Sequence, residues 1–150
     1  MNIRTNMVIS TTLLEHVPDN AKSIKSIYDS LVGGGTTHHY IPSKWHPYSV
    51  ALRLVGPTLQ KKLIAILRPA AADVTGYPAF FSHCSPGGMR KVFLNNGFQD
   101  VEVNPFYRAN DYFAFFVPAF LIITLYENIC ALLNIHIASS GFVISARKPL

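Results

Sequence analysis

The chain has 150 residues, of which 49% are hydrophobic and 14% charged. That is enough apolar material for a buried core, and it excludes a chain kept disordered by charge. The formal net charge is +5, but the cations are scattered in pairs such as Lys61-Lys62, Arg90-Lys91 and Arg147-Lys148, which excludes a dense nucleic-acid-binding stripe.

The two cysteines, Cys84 and Cys130, lack the spacing of a disulfide framework or a metal site, so a reducing, cytoplasmic compartment is expected. Residues 1–7 do not read as a signal peptide, because polar residues arrive soon after Arg4. Met7 to Ser10 is a short apolar run of the kind that forms a buried strand. Pro18, Asp19 and Asn20 punctuate the chain before a helical pattern over about 21–31. There Ile24, Ile27, Tyr28 and Leu31 share one face. Gly33 to Gly35 are expected to stop that helix, and Thr36 to Ile41 to form a second strand ended by Pro42. A helix between two strands predicts a parallel crossover.

An aromatic, turn-rich loop, SKWHPYS, follows. A helical pattern over 50–67 is interrupted at Gly56-Pro57, and 69–86 reads as loop. Ser85-Pro86 opens a helix that stops at Asn96-Gly97, with Gly97 expected at positive φ. Val101 to Tyr107 reads as a strand and Gly141 to Ala146 as the last one. Between them, 112–137 is a long apolar segment. It contains Pro118, Glu127, Asn128 and Asn134, so it is expected as a helix buried on the sheet. Phe115, Phe116, Leu121, Ile122 and Leu125 would then be covered by the sheet or by its missing partner. Membrane association through 113–135, with a lipophilic substrate, is the minority alternative.

Three segments carry a resemblance. ISTTLLEHVPDN resembles the exit from the fourth strand of class I S-adenosylmethionine-dependent methyltransferases. LVGGGTTHHYIP resembles the following helix end and fifth strand, and SPGGMRKVFLNNGFQDVEV a later helix, its asparagine-glycine-phenylalanine turn and the next strand. In this order they resemble the C-terminal part of the methyltransferase type 11 family over essentially the whole chain. Asn6 stands where the family usually has aspartate, and Val32-Gly33 where it has lysine-proline. The resemblance implies an α/β, partial Rossmann-like fold: a mostly parallel sheet with an antiparallel last strand, the N-terminal strands missing. It implies one region, 1–150, with an inserted loop and helix at about 43–85. It further implies S-adenosylmethionine as cofactor and methyl transfer to a small or lipophilic molecule. The family's glycine-rich turn and ribose-binding acid are expected upstream of these residues, so the chain alone is expected to be inactive. The other reading is a truncated or degenerate non-catalytic interaction module.

Ligands in open α/β sheets bind outside the carboxyl ends of the strands. Ser10, Thr11, Thr12 and His16 are therefore the expected cofactor-side residues, against the plain alternative of a loop or helix cap. Glu15 is read as a cap or a solvent-facing residue, and no catalytic residue is assigned. Trp45, His46, Tyr48, Tyr77, Phe81 and His83 offer apolar walls with polar tips for a small-molecule substrate, or else a satellite cluster under the loops. His38 and His39 are neighbours in a strand and point to opposite faces, so no metal site is expected from them. Cys84 is expected to be an inert buried thiol rather than a nucleophile.

Overall fold

The computed structural model describes residues 4–67 and 78–150. Four strands form one sheet in the order β1-β2-β4-β3, with β1 at Thr5–Thr11, β2 at Leu31–Pro42, β3 at Gln99–Phe106 and β4 at Gly141–Arg147. β1 and β2 are parallel, joined through α1 (Asn20–Ser30), and β4 lies antiparallel between β2 and β3. β1, β2 and β3 thus run in the same direction. Their carboxyl ends, at Thr11, Pro42 and Phe106, lie along one edge of the sheet. This is the α/β, Rossmann-like arrangement with an antiparallel last strand.

Local chemistry sets the helices. Asp19 caps α1 by accepting the Lys22 N–H at 3.1 Å. Lys148 Nζ caps the other end, donating to the Tyr28 and Leu31 carbonyls at 2.8 and 2.7 Å. α3 (Pro86–Asn95) starts at Ser85, whose Oγ accepts the Gly88 N–H, with Pro86 in the first turn. It ends at Gly97 with φ 89°. α2 (Pro47–Leu67) begins earlier than the apolar pattern suggests and breaks at Gly56 with φ 74°, where the Gly-Pro pair predicts it.

α1 and α3 cover one face of the sheet. Ile24 from α1 and Met89 and Phe93 from α3 are fully buried against Ile41, Phe142 and Ile144. Each such side chain contributes roughly 1.5–3 kcal/mol. The other face is more open: Met7 and Ile9 on β1 are 51% and 67% exposed.

Two expectations are corrected. Gly33 to Gly35 do not stop α1, which ends at Ser30; they lie inside β2, which starts at Leu31. A Cβ on Gly35 would come within 3.1 Å of the Asn6 carbonyl oxygen. Gly35 therefore serves a close approach between β1 and β2, at the irregular register between Thr5 and Met7, while Gly33 and Gly34 lie against Pro149 and Leu150. The apolar segment does form a helix, α4 (Val117–Leu132), but it is not buried on the sheet. It packs on short turns at Asn110–Phe113 and His136–Ala138. Phe115, Phe116, Leu121, Ile122 and Leu125 are all more than half exposed.

Candidate functional site

The carboxyl edge of the sheet gathers most of the buried polar chemistry. At the end of β1, Ser10 Oγ lies 2.6 Å from Nδ1 of His39, and Thr37 Oγ1 lies 2.5 Å from Nε2 of the same ring. Burial, aided by the neighbouring His38, pushes the His39 pKa down to about 4. The ring is therefore a neutral strut in the sheet. His38 turns to the opposite face and meets Ser145 Oγ at 2.9 Å.

Thr11 and Thr12 are exposed beyond this strut. Thr12 has φ 48°, and its N–H donates to the Tyr40 carbonyl at 3.0 Å, so the chain turns sharply as it leaves the strand. A short turn, Leu14–His16, follows. It is tied to a segment distant in sequence: the Glu15 carbonyl accepts the Phe80 and Phe81 N–H groups at 2.8 and 3.0 Å, and His16 Nδ1 is 2.8 Å from the Pro78 carbonyl. Asn20, fully buried, donates to the carbonyls of Leu14 and Ser82. Glu15 is itself 4% exposed, contrary to the expectation that it caps or faces solvent, and its Oε2 has no hydrogen-bond partner. Desolvation raises its pKa against the lowering effects of a backbone hydrogen bond and His16.

At the ends of β2 and β3, Ser43 and Ser140 join the two strands through β4. The Ser43 N–H donates to the Ser140 carbonyl and the Ser140 N–H to the Phe106 carbonyl. Behind them His46 Nε2 stands 3.3 Å from Glu127 Oε1, both side chains almost wholly buried. The Ala109 N–H donates to the same carboxylate. Desolvation raises the Glu127 pKa, and burial takes His46 down to about 4. The hydroxyls of Ser43, Tyr107 and Ser139 are buried nearby in the chain without partners.

Of the six aromatic and histidine residues expected to wall a substrate pocket, five lie among the described residues. Trp45 and Phe81 share the Arg53 guanidinium, which sits 5.6 and 5.7 Å from their ring centroids. Tyr48 stacks on Tyr112 at 4.2 Å. His46 is buried against Tyr126 and Glu127. His83 is exposed in a strained turn with φ 58°, and Tyr77 lies outside the described residues. Cys84 is fully buried, and burial, with Glu15 nearby, pushes its thiol up to about 12, which leaves it inert as a nucleophile. Among the described residues no group of His, Cys, Asp and Glu is arranged to hold a metal ion.

Sequence reasoning missed Asn20, Glu127 and Tyr107 as members of this edge. The one available signal was Glu127, a lone acid in an otherwise apolar helix.

No family model matches the chain, and no curated protein matches it in sequence. Solved structures do match. Phosphoethanolamine N-methyltransferase 2 of Haemonchus contortus, in complex with S-adenosyl-L-methionine, is 13% identical with a TM-score of 0.52, over 97% of this chain and 34% of that one. A SAM-dependent methyltransferase of Thermotoga maritima is 12% identical with a TM-score of 0.51, over 99% of this chain and 59% of that one. Another from Archaeoglobus fulgidus is 12% identical with a TM-score of 0.50, over 98% and 61%. The chain spans about a third to three-fifths of the length of these structures, and its fold is methyltransferase-like.

Proposed function

We propose that this chain supplies part of an S-adenosylmethionine-dependent methyltransferase acting on a small or lipophilic acceptor. The observation that carries this is the arrangement of the sheet: parallel β1 and β2 beside antiparallel β4, a fold shared over nearly the whole of this chain with methyltransferases of known structure at TM-scores of 0.52 and 0.51. S-adenosylmethionine supplies an activated methyl group on a sulfonium, so the protein's task is binding, orientation and exclusion of water. The residues at the carboxyl end of β1 fit such a cofactor. Thr11 and Thr12 present exposed hydroxyls, and Glu15 holds a buried carboxyl oxygen without a partner. Ser10 acts one step back, fixing His39, and His16 holds the turn to the Pro78 carbonyl.

These groups amount to a few hydrogen bonds at about 0.5–1.5 kcal/mol each, set against several kcal/mol of lost translational and rotational freedom. The chain alone therefore binds the cofactor weakly and does not turn over. Amide chemical-shift mapping by NMR during a titration with S-adenosylmethionine tests this. The expected result is small, unsaturated shifts confined to residues 10–16. Shifts elsewhere, or none at millimolar cofactor, would overturn the assignment. Micromolar affinity by calorimetry would overturn the claim of weakness.

A second reading is a non-catalytic interaction module. It is favoured by β1, an edge strand of the sheet among the described residues, whose open face carries the exposed Met7 and Ile9. Under that reading the cofactor titration leaves residues 10–16 unmoved.

A further inference from the structure

α4 is amphipathic in the inverse sense. At 100° per residue, its exposed side chains Val117, Leu121, Ile122, Leu125, Ile129 and Leu132 fall within an arc of about 140°. Asn128 is the one polar residue in that arc. Glu127 and Cys130 are on the opposite arc and buried in the protein, and Thr124 and Tyr126 are half-buried at its flanks. Glu127 is 2% exposed, while Ile122 is 67% and Leu132 81% exposed. Phe115 and Phe116 extend the apolar surface before the first turn, and Ile135 and Ile137 extend it after the last. At roughly 25 cal/mol per Å², water is a poor solvent for such a face, and contiguous apolar patches of this kind mark interaction sites.

The surroundings of this face indicate its occupant. Protein interfaces form about one hydrogen bond per 100–200 Å², but the outer arc of α4 offers a single amide to make one. An acyl layer requires none. Charge points the same way. In 44–55 and 107–137, segments that meet where Tyr48 stacks on Tyr112, the solvent-accessible cations Lys44, Arg53 and Arg108 stand against one exposed acid, Asp111. Two of these cations flank Trp45, which is 48% exposed: Lys44 Nζ is 5.0 Å and the Arg53 guanidinium 5.6 Å from its ring. A tryptophan between cations is suited to the headgroup layer of a bilayer. Tyr48, three residues on, stacks on Tyr112 and meets Phe113, which connects this loop to the start of α4. Among the described residues no helix is long and apolar enough to cross a membrane.

We propose that α4 lies in the plane of a membrane surface. Its outer arc enters the acyl layer, and Lys44, Trp45 and Arg53 meet anionic lipid headgroups. This is the geometry of an interfacial helix, except that its polar side is covered by the protein rather than by water.

Trp45 is the only tryptophan in the chain, so its fluorescence reports on the contact. Co-sedimentation and emission spectra are measured with phosphatidylcholine vesicles, with and without phosphatidylglycerol. The expected result is binding that increases with phosphatidylglycerol and weakens with salt, together with a blue shift of the tryptophan emission. Leu121→Glu and Leu125→Glu alter only exposed positions, and circular dichroism melts verify that each variant folds. Each substitution is expected to weaken partitioning more than about tenfold, as a carboxylate in the acyl layer requires. An absence of vesicle binding, or binding that survives both substitutions, overturns the proposal. So does a stable oligomer by light scattering that both substitutions dissociate while vesicles bind nothing, because the face is then a contact between copies. None of these readouts depends on cofactor binding.

Discussion

His46 and Glu127, 81 positions apart in the chain, place Nε2 and Oε1 within 3.3 Å of each other in a site closed to water. The Tyr48 N–H donates to His46 Nδ1 at 3.3 Å, which leaves the proton of the neutral ring on Nε2, facing the carboxylate. The separation is not aligned as a hydrogen bond, so the attraction is electrostatic, in a setting where each group has given up its hydration. The pair fastens the loop after β2 to the inner side of α4.

Removing one partner leaves the other buried alone. Glu127→Leu also strips the Ala109 N–H of its acceptor. Urea unfolding should show a loss of about 3 kcal/mol for Glu127→Leu. The double variant with His46→Leu should lose at least about 1 kcal/mol less than the sum of the two single changes. Strict additivity would mean that the two groups do not interact.

Gly97 ends α3 with φ 89°, and a Cβ there would sit 3.4 Å from the Tyr28 hydroxyl. A β-branched residue resists that backbone. Gly97→Val should cost more than about 1 kcal/mol by urea unfolding, whereas Gly97→Asn, which tolerates positive φ, should cost less. Equal losses would assign the effect to the contact with Tyr28 rather than to the backbone.

The helix stop at Gly97, the parallel crossover from β1 to β2 and the opposed faces of His38 and His39 are legible in the sequence, because each follows from local pattern. Gly33 to Gly35 are not. A glycine run after a helix reads as its stop, and only the pairing of β2 with β1 and β4 reveals a strand. The outward turn of α4 is hidden for a related reason. Total hydrophobicity gives burial, but the position of Glu127, Tyr126 and Cys130 on one arc identifies the side held against the protein. The end of β1 at Ser10 to Thr12 is legible as the carboxyl end of a strand from the apolar run before it. Asn20 is not, because one of its two carbonyl partners, Ser82, lies 62 residues away.

Asn20 is therefore expected to act over a distance. Its amide joins the Leu14 and Ser82 carbonyls, and its Oδ1 is buried without a partner. Asn20→Ala should cost about 2 kcal/mol. It should also loosen the turn at Leu14–His16 along with residues 78–84, seen as faster hydrogen exchange at the Phe80 and Phe81 amides, whose acceptor is the Glu15 carbonyl. Unchanged protection at these two amides would show that the backbone bonds hold the segment without Asn20.

His39 makes stability depend on pH in a defined direction. Its pKa falls from 6.5 to about 4 in the fold, chiefly through burial. The unfolded chain then binds the proton more tightly, so the histidine's contribution is complete above about pH 6.5 and is lost as pH falls toward 4. Between pH 7 and 4.5 the loss amounts to about 2 kcal/mol. His46, lowered to about 4 by burial, acts in the same direction. The raised carboxyls of Glu15 and Glu127 act in the opposite one, because the folded state holds their protons more tightly. The total slope mixes these terms, but the difference between the native chain and His39→Phe isolates one of them. Urea unfolding at pH 7 and pH 4.5 should show a pH-dependent loss about 2 kcal/mol smaller in the variant, whatever its stability at pH 7. The variant also leaves Ser10 Oγ and Thr37 Oγ1 without the ring nitrogens they meet, so lower stability at neutral pH is expected alongside the flatter profile. Parallel profiles for the two proteins would show that His39 does not change its protonation on unfolding, and its role as a neutral strut behind the carboxyl end of β1 would fall.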